Sequence, residues 1–374
     1  MFGGIEMDSV NQEAIFQSAA SMQDDINHER LPIVHLWLAA TAAAMLLAAF
    51  NIIGGSDRKS LWSWSKSVKK ETASPLNLAK KYVLVTGCDK GLGYATAKSL
   101  DKHGYSVIAG CYNVKGENVQ RLQKETSSKL QAVQLDVTKT EDLESVRQWM
   151  NSNLDGELWG IVNNAGVCFV GTPEIMAQKD IDNVLAVNLM GVINVTNKFL
   201  PLVRQSKGRI VNIGSISGEV PMPFFAIYNA SKAAVKMLTE TWSYELLPWG
   251  VKVSLITPSA FQTDIIQYDR GEIATRWWKE ADEEVQRDFG QDFFRMNMRP
   301  SGRFRVCKDL SPVANSIIHA LSAEKPRPLY RVGQWSTLLP NLFKFSPQPL
   351  RYVLGSSVFN FITDQPLGVQ TKSK

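Results

Sequence analysis

Apolar residues follow two different patterns along this chain. The first is a nearly continuous apolar segment over residues 32–53, which only Pro32, His35, Thr41 and Asn51 interrupt. A segment of this length is long enough to cross a bilayer as a single helix. The pattern therefore predicts a transmembrane helix over residues 32–53. A buried, alanine-rich core helix is the alternative.

The flanks of this segment differ in charge. Residues 1–31 form an acidic tail with Arg30 as their only lysine or arginine, which disfavours a cleaved signal peptide and a mitochondrial transit peptide. Basic residues and interface tryptophans follow the segment in a linker over residues 54–79: Arg58, Lys59, Trp62, Trp64, Lys66, Lys69 and Lys70. Because the positive flank of a membrane helix stays cytoplasmic, everything after residue 54 is predicted to face the cytoplasm. We expect the linker to lie near anionic headgroups.

The second pattern covers residues 80–332, where short β-branched runs alternate with helical periodicity. The predicted strands are Lys81–Thr86, Ser106–Cys111, Gln131–Leu135, Leu158–Asn163, Arg209–Ile213 and Val251–Thr257. Nearly continuous apolar strands that alternate with helices are typical of a parallel sheet covered on both faces. The expected fold is therefore α/β, a doubly wound Rossmann sheet in one catalytic domain.

Two later regions depart from this alternation. Residues 259–300 combine aromatic and charged side chains, which suits a lid over a substrate pocket; a solvated pair of helices is the alternative. Residues 333–374 are apolar but broken by prolines, too short in each piece to span a bilayer. We expect this tail to associate with the membrane interface.

Composition narrows the classes of function. The 41 lysines and arginines exceed the 36 acidic residues by only five, which is too little in a chain of 374 residues to imply a nucleic-acid partner. The four cysteines are widely spaced, without a CxxC pair. With only four histidines as well, no metal site and no Ser/His/Asp triad is predicted.

A glycine-bearing turn connects the first predicted strand to a helix. It reads Thr86-Gly87-Cys88-Asp89-Lys90-Gly91-Leu92-Gly93. Glycines at a strand–turn–helix junction let the backbone approach a pyrophosphate, which the helix N-terminus attracts. The spacing, with three residues between the first two glycines, departs from GxGxxG.

This motif resembles TGxxxGxG of the short-chain dehydrogenases/reductases, and further motifs follow in that family's order. They are Asp136-Val137, Asn163-Asn164-Ala165-Gly166, Asn188, Ser215 and Tyr228-Asn229-Ala230-Ser231-Lys232. The resemblance implies that Asn188, Ser215, Tyr228 and Lys232 are catalytic, with Ser215 also contacting substrate. The residues that it implies for dinucleotide binding are Thr86, Gly87, Lys90, Gly91, Leu92, Gly93, Cys111, Asp136, Val137, Asn163, Ala165, Gly166, Tyr228, Lys232, Pro258 and Thr263.

The implied catalytic residues are chemically suited to proton transfer. Tyr228 and Lys232 are four residues apart and share one face of a helix. An ammonium beside a phenol favours the phenolate, so we expect the pKa of Tyr228 to fall from about 10 towards working pH. Ser215 would donate to the substrate oxygen while the nicotinamide exchanges a hydride. By resemblance, Asn188 would hold a water that relays the proton from Lys232.

Three positions depart from the family pattern. Gly214 stands where many relatives have a second serine. Pro258-Ser259 replaces Pro-Gly, so the loop leading to Thr263 is expected to differ. Cys111 ends the second strand, where an acidic residue would favour NAD and a basic one NADP. Lys90 and Lys115 are candidates to contact a 2′-phosphate of NADP. The branch of the family that this chain most resembles nevertheless implies a slight preference for NAD.

Within the family, the segments LVTGCDKGLG, LWGIVNNAGV and ELLPWGVKVSLITP most resemble the membrane-bound branch, which includes retinol dehydrogenases, 17β-hydroxysteroid dehydrogenase type 2 and D-β-hydroxybutyrate dehydrogenase. It implies oxidation or reduction of an alcohol or carbonyl on a hydrophobic steroid or retinoid, at the membrane, with the endoplasmic reticulum favoured. Homo-oligomers are common in the family. Two alternatives remain: a 3-hydroxybutyrate-type dehydrogenase, or a catalytically inactive dinucleotide-binding scaffold. The first would need a carboxylate partner among Arg270, Arg276, Lys279 and Arg287.

Overall fold

The computed structural model describes residues 78–263, 265, 270–293 and 306–362. The predicted transmembrane helix, the acidic tail and nearly all of the basic linker lie outside the described residues. So do the end of the predicted lid and the last residues of the tail. The predictions for these segments stay predictions.

A seven-stranded parallel sheet forms the centre of the described structure. Its strands are β1 (Lys81–Thr86), β2 (Ser106–Cys111), β3 (Leu130–Gln134), β4 (Glu157–Asn163), β5 (Arg209–Ile213), β6 (Lys252–Pro258) and β7 (Leu329–Val332). They lie in the order β3-β2-β1-β4-β5-β6-β7, and every neighbouring pair is parallel. The six predicted strands are confirmed to within one residue, and β7 was not predicted.

Helices connect the strands. They are α1 (Gly91–Lys102), α2 (Glu117–Glu125), α3 (Thr140–Asn153), α4 (Gln178–Leu185), α5 (Gly191–Gln205), α6 (Ala226–Glu245), α7 (Arg270–Glu280), α8 (Glu283–Phe289), α9 (Ser311–Ser322), α10 (Leu338–Phe345) and α11 (Gln348–Ile362). A π-helical turn, Ala186–Met190, joins α4 to α5. The predicted doubly wound α/β fold is confirmed.

Alternate residues of the strands serve two separate cores. Val83 and Val85 of β1 pack in the core that also contains α1, α2 and α9, whereas Leu84 lies in the core with α3 and α5. Successive side chains of a strand point to opposite faces, so the continuous apolar run of β1 covers both cores. This burial fixes the strand ends that carry the functional residues.

One helix in the described part of the chain is long and apolar enough to cross a membrane, the continuous helix over Gln178–Gln205. Its residues Val195, Phe199 and Val203 are buried against the sheet. Its hydrophobicity is therefore that of a core helix, and it is not the segment predicted from the sequence to span a bilayer.

The tail after β7 continues as two helices, and the first of them is hydrogen-bonded to the domain. Arg331 of β7 donates to the Glu219 carboxylate at 2.7 Å and to the side-chain oxygen of Asn341 at 2.8 Å. Asn341 lies on α10, and Glu219 follows the turn after β5. Arg331, half-buried, therefore connects the first helix of the tail to the loop after β5.

Candidate active site

The carboxyl ends of all seven strands meet at one edge of the sheet, which we call the carboxyl edge. In an open parallel sheet this is where ligands bind, in the crevice between strands whose connections diverge to opposite sides. The glycine turn follows β1 there, the Asn-Asn-Ala-Gly loop follows β4, and Ser215 follows β5. The fold thus brings together motifs that are far apart in sequence.

The glycine turn is held in a conformation that requires glycine. Gly87 and Gly91 have φ angles of 71° and 62°, in the left-handed region. A Cβ on Gly93 would lie 2.1 Å from the Gly87 carbonyl oxygen, closer than any side chain can approach. The predicted roles of these glycines are therefore consistent with tight backbone geometry.

Thr86 and Asn164 fasten this turn to the loop after β4. The Thr86 hydroxyl accepts hydrogen bonds from the backbone N–H groups of Asn164 at 3.0 Å and Ala165 at 2.9 Å. In return, the Asn164 amide donates to the carbonyl oxygens of Thr86 at 2.8 Å and Gly87 at 3.2 Å. Asn164 was not among the predicted site residues, although its motif was.

The geometry suits a dinucleotide pyrophosphate. Lys90 stands at the N-cap of α1 without a side-chain cap, which leaves the backbone N–H groups of the first turn available to an anion. Among the residues that the structure describes, a Cβ on Gly91 would meet only Thr263, at 3.5 Å. Thr263 therefore lies opposite the turn, and its contact with the nicotinamide end stays a prediction. Leu92 packs against the core beneath.

The end of β2 carries a negative charge that comes from the glycine turn. Cys111 is fully buried, and its thiol donates to the Ala109 carbonyl, so its side chain does not face the carboxyl edge. The Asp89 carboxylate instead accepts hydrogen bonds from the backbone N–H groups of Tyr112 at 2.9 Å and Asn113 at 2.8 Å. Sequence analysis passed over Asp89, because its partners lie on another strand's loop.

The predicted adenine-binding pair follows β3. Asp136 accepts from the backbone N–H and the hydroxyl of Thr138, at 3.0 and 2.7 Å, so its carboxylate shapes the turn. Val137 is buried, and a Cβ on Gly191 would lie 2.6 Å from its Cγ2 atom. Both residues sit at the carboxyl edge, and their contact with a cofactor remains a prediction.

Asn163 and Asn164 have opposite roles. The Asn163 amide points into the core, where it donates to the Thr196 hydroxyl at 2.9 Å and to Asn212 at 2.8 Å. Asn212 in turn donates to the Thr239 hydroxyl at 2.9 Å. This buried polar chain joins β4 and β5 to α5 and α6. The amide of Asn163 is thus committed to the protein interior.

Lys232 is buried close to Tyr228 on α6. Its Nζ lies 5.8 Å from the centre of the tyrosine ring and donates to the Ile213 carbonyl at 2.9 Å. Burial lowers the pKa of Lys232 to about 8. A proton on this amine is therefore much less firmly held than on a lysine in water.

Tyr228 differs from the sequence expectation in its acidity. Burial of the hydroxyl raises its pKa, the neighbouring Cys168 adds to the increase, and a hydrogen bond with Ser215 opposes it. The expected lowering by Lys232 is not found, because the amine is several ångströms from the ring and burial dominates. The phenol is thus held protonated in this structure.

Asn188 lies in the π-helical turn between α4 and α5. Its side-chain oxygen accepts from the Val167 N–H at 2.8 Å, and its amide donates to the Val167 carbonyl at 2.9 Å and the Ser231 hydroxyl at 3.1 Å. A Cβ on Gly166 would stand 3.4 Å from the Asn188 oxygen and 3.6 Å from Lys232 Nζ. Asn188 therefore lies beside Lys232, and π-turns are frequent at functional sites.

The departures from the family pattern have structural reasons. A Cβ on Gly214 would come within 3.1 Å of Leu255, so the position is already tight. Pro258 pairs with Val332 of β7, and the Ser259 N–H donates to the Val332 carbonyl at 2.8 Å. The Pro-Ser segment thus continues the strand pairing and still leads to Thr263 opposite Gly91.

The fit of Gly93 predicts a sharp loss of dinucleotide affinity in Gly93→Ala. The added methyl would clash with the Gly87 backbone, and such overpacking costs about 1–3 kcal/mol, so we expect affinity to fall by about 10- to 100-fold. Titration with NADH fluorescence measures it. Gly355→Ala is the control, since its Cβ would meet no described residue within 4 Å. Unchanged affinity in Gly93→Ala would contradict the assignment.

Burial of Lys232 predicts a pH-dependent contribution to stability. Between pH 8 and 10 the unfolded chain keeps a proton that folded Lys232 has released, so the contribution of Lys232 to the free energy of unfolding rises with pH. From pH 8 to pH 10, we expect the free energy of unfolding of the wild type to rise by about 2 kcal/mol relative to that of Lys232→Met. Chemical denaturation of both proteins at the two pH values tests this, with the surface variant Lys236→Met as control. A pH-independent difference would disprove it.

Comparisons with known proteins agree with the fold and the motifs. Retinol dehydrogenase 7 of Rattus norvegicus is 38% identical over 74% of this chain and 86% of its own. The 17-beta-hydroxysteroid dehydrogenase type 6 of Homo sapiens is 37% identical over 76% of this chain and 88% of its own. Estradiol 17-beta-dehydrogenase 2 of Mus musculus is 36% identical over 74% of each chain.

Solved structures and a family model give the same result. A short-chain dehydrogenase from Streptomyces avermitilis aligns with a TM-score of 0.56 and 25% identity, covering 74% of this chain and 96% of that one. A 3-ketoacyl-(acyl-carrier-protein) reductase from Brucella melitensis, complexed with NADH, shares the fold with a TM-score of 0.51 and 24% identity, over 65% of this chain and 90% of that one. The short chain dehydrogenase family model matches residues 81–273. This chain therefore belongs to the short-chain dehydrogenase family, in the retinol and 17β-hydroxysteroid dehydrogenase branch, and is an oxidoreductase of alcohol and carbonyl groups that uses a nicotinamide dinucleotide.

Proposed function

We propose that this protein interconverts an alcohol and a carbonyl on a hydrophobic substrate of the steroid or retinoid type. The observation that carries the proposal is the convergence of Asn188, Ser215, Tyr228 and Lys232 at the carboxyl edge, beside the glycine turn. These side chains come from three different elements: the π-helical turn carries Asn188, the loop after β5 carries Ser215, and α6 carries both Tyr228 and Lys232. Their hydrogen bonds and the burial of Lys232 make an arrangement suited to proton transfer.

The proposed roles follow from the contacts. The Ser215 hydroxyl lies close enough to Tyr228 to lower the pKa of the phenol against the effect of burial, so the two hydroxyls are placed to hold one substrate oxygen between them. The bound dinucleotide would supply the hydride acceptor or donor. In reduction, Tyr228 would donate the proton that burial holds on it to the carbonyl oxygen. In oxidation, that proton would first leave towards Lys232, so that the phenolate could take the proton of the alcohol. Lys232 and Asn188 lie behind it as the route for that proton.

Aromatic side chains favour an apolar substrate. The Phe225 ring lies 6.5 Å from the Tyr228 ring, and Phe224 lies 6.4 Å from Phe293, which is in turn 5.9 Å from Phe289. These rings approach the site from the segment before α6 and from the predicted lid. The names of the relatives, which refer to retinol, estradiol and hydroxysteroids, point to the same class of substrate.

The hydroxy-acid alternative loses support from two of its candidate cations. Arg276 is paired with Asp180, and Arg287 lies beside Glu284 and Asp288. A carboxylate substrate would have to compete with these acidic partners. The lipid-like alcohol is therefore the better proposal.

The predicted membrane helix over residues 32–53 completes the proposal. We propose that it anchors the enzyme, with the catalytic domain on the cytoplasmic side of the endoplasmic reticulum membrane. Support comes from the basic linker and from Trp335, Phe345 and Tyr352, which expose large apolar surfaces in the tail. A substrate dissolved in the bilayer would reach such a domain directly.

We further propose NAD as the preferred cofactor. The Asp89 carboxylate occupies the backbone N–H groups of Tyr112 and Asn113 at the end of β2. A 2′-phosphate at this end would meet a negative charge and find these two donors already used. Lys90 is the adjacent cation that would oppose this preference.

Tyr228→Phe tests the proposed chemistry. Removing the hydroxyl eliminates the proton donor and acceptor, so we expect turnover of retinol or estradiol to fall by about 10²- to 10⁴-fold with dinucleotide binding retained. Absorbance of the reduced dinucleotide, in membranes carrying the full chain, gives the rates. Tyr244→Phe is the control, on the same helix and 76% exposed. The proposal would be refuted if the wild type oxidised neither alcohol, or if Tyr228→Phe turned the alcohols over at the rate of the wild type.

Asp89→Asn tests the cofactor preference. Loss of the charge should raise kcat/KM with NADP relative to NAD by about tenfold, a change of about 1.4 kcal/mol in relative transition-state stabilisation. Steady-state rates with both dinucleotides measure the ratio. Asp101→Asn serves as control, because its carboxylate also accepts a backbone N–H, that of Ser127, but lies on α1. An unchanged ratio in Asp89→Asn would rule out this role.

A further inference from the structure

A carboxylate outside the proposed chemistry is buried between the catalytic core and α7. Asp180 lies in the first turn of α4 and is 7% exposed. Its Oδ2 atom accepts a hydrogen bond from the Trp277 indole N–H at 2.6 Å and pairs with the Arg276 guanidinium. A buried carboxylate is costly unless it is paired and hydrogen-bonded, and both partners here come from α7.

Trp277 is the larger half of this contact. It is fully buried, and its ring packs so closely on the backbone of Gly171 that a Cβ there would lie 2.7 Å from a ring carbon. Phe169 meets the same ring edge-on, with centroids 6.1 Å apart. The predicted lid is thus a helical pair, but α7 buries one face and is not simply solvated.

The contact continues into the active site through the loop after β4. That loop, residues 164–171, begins at Asn164, which is hydrogen-bonded to the glycine turn. Its Gly166 lies beside Asn188 and Lys232, and it ends at Gly171, against the ring of Trp277. The Gly171 N–H donates to the Phe224 carbonyl at 2.8 Å, in the segment just before α6. A shift of α7 would therefore be felt in two segments beside the proposed active site, the loop after β4 and the segment before α6, which we call the pocket wall.

We infer that Asp180 is a positioning residue for the hydrophobic substrate: it fixes α7 and Trp277 against the loop after β4. This inference rests on the proposed function. Asp180 touches neither the dinucleotide turn nor the Ser215–Tyr228 pair, so its role is in the pocket wall. Substrates that fill the pocket depend on it, and small alcohols that reach only the reacting hydroxyls do not.

Asp180→Asn separates this role from a general loss of structure. The amide oxygen still accepts from Trp277, but the charge that holds Arg276 is gone. We expect KM for estradiol or retinol to rise by about tenfold with kcat within about twofold, because only binding in the pocket is weakened. KM for the dinucleotide and kcat/KM for cyclohexanol should stay within about twofold of the wild type.

A matched control and two further variants make the test independent of folding. Lys179→Met removes an exposed ion pair, to Glu280, between the same two helices and should leave both KM values unchanged. Trp277→Phe keeps an aromatic ring but deletes the donor, and should raise KM for the large alcohol in the same way. Asp180→Asn with Arg276→Gln removes both charges and should restore part of the lost affinity.

Each result decides the inference. It is overturned if KM for the large alcohol is unchanged in Asp180→Asn, if kcat for both alcohols falls instead, or if the double variant is no better than Asp180→Asn. Should Asp180→Asn fail to fold, Trp277→Phe and the double variant carry the same decision. Absence of turnover in the wild type would instead refute the proposed function, so the two failures are distinguishable.

Discussion

Hydrogen bonds between Thr86 and the loop of residues 164–171 hold the carboxyl edge together. The side chain of Thr86 accepts from two successive backbone N–H groups of that loop, and Asn164 donates back to the glycine turn. With both ends of the exchange satisfied, neither loop can move without leaving buried polar groups unpaired. The positions of Gly166 and Gly171 follow from this constraint.

One loop consequently touches three parts of the site. Its start is hydrogen-bonded to the glycine turn, its middle lies beside Asn188 and Lys232, and its end packs against the ring of Trp277 from α7. Glycine is needed at 171, because a Cβ there would lie 2.7 Å from the Trp277 ring. The glycine turn, the residues proposed to transfer the proton and the proposed pocket wall therefore all contact one loop, so a small displacement of any of them would be felt by the others.

Burial, more than the local pair of charges, sets the proton chemistry of α6. It raises the pKa of Tyr228 and lowers that of Lys232, so the neutral forms of both are favoured relative to water. A phenol that holds its proton and an amine that releases its proton readily are suited to passing one proton back and forth. Spacing on the helix predicted the pair correctly but not the direction of the tyrosine shift, since spacing carries no information about burial.

The same limit explains which parts of the site sequence reasoning found. Motifs that are contiguous, such as Gly87–Gly93 and Tyr228–Lys232, were visible because local spacing fixes their geometry. Asp180 was not, since its partners Arg276 and Trp277 are 96 and 97 residues away. Asp89 was missed for a related reason. The sequence pattern points to Cys111 at the end of the strand, but the Cys111 side chain is buried and the negative charge comes from Asp89 in a neighbouring loop. Strand β7 is only four residues long and pairs with a strand more than 70 residues earlier.

The contacts of Asp180 also explain why a charged residue lies between α7 and the core, although apolar side chains could bury the same surface. A tryptophan buried to its nitrogen needs an acceptor, or its N–H is left unpaired. Asp180 supplies the acceptor, and its own charge then requires a cation, which the adjacent residue Arg276 provides. Two neighbouring residues of one helix thus converge on a single oxygen. Two apolar faces could slide or rotate against each other at little cost. The hydrogen bond and the ion pair of Asp180 instead fix α7 in one orientation about its axis. This would give the proposed pocket wall a defined shape.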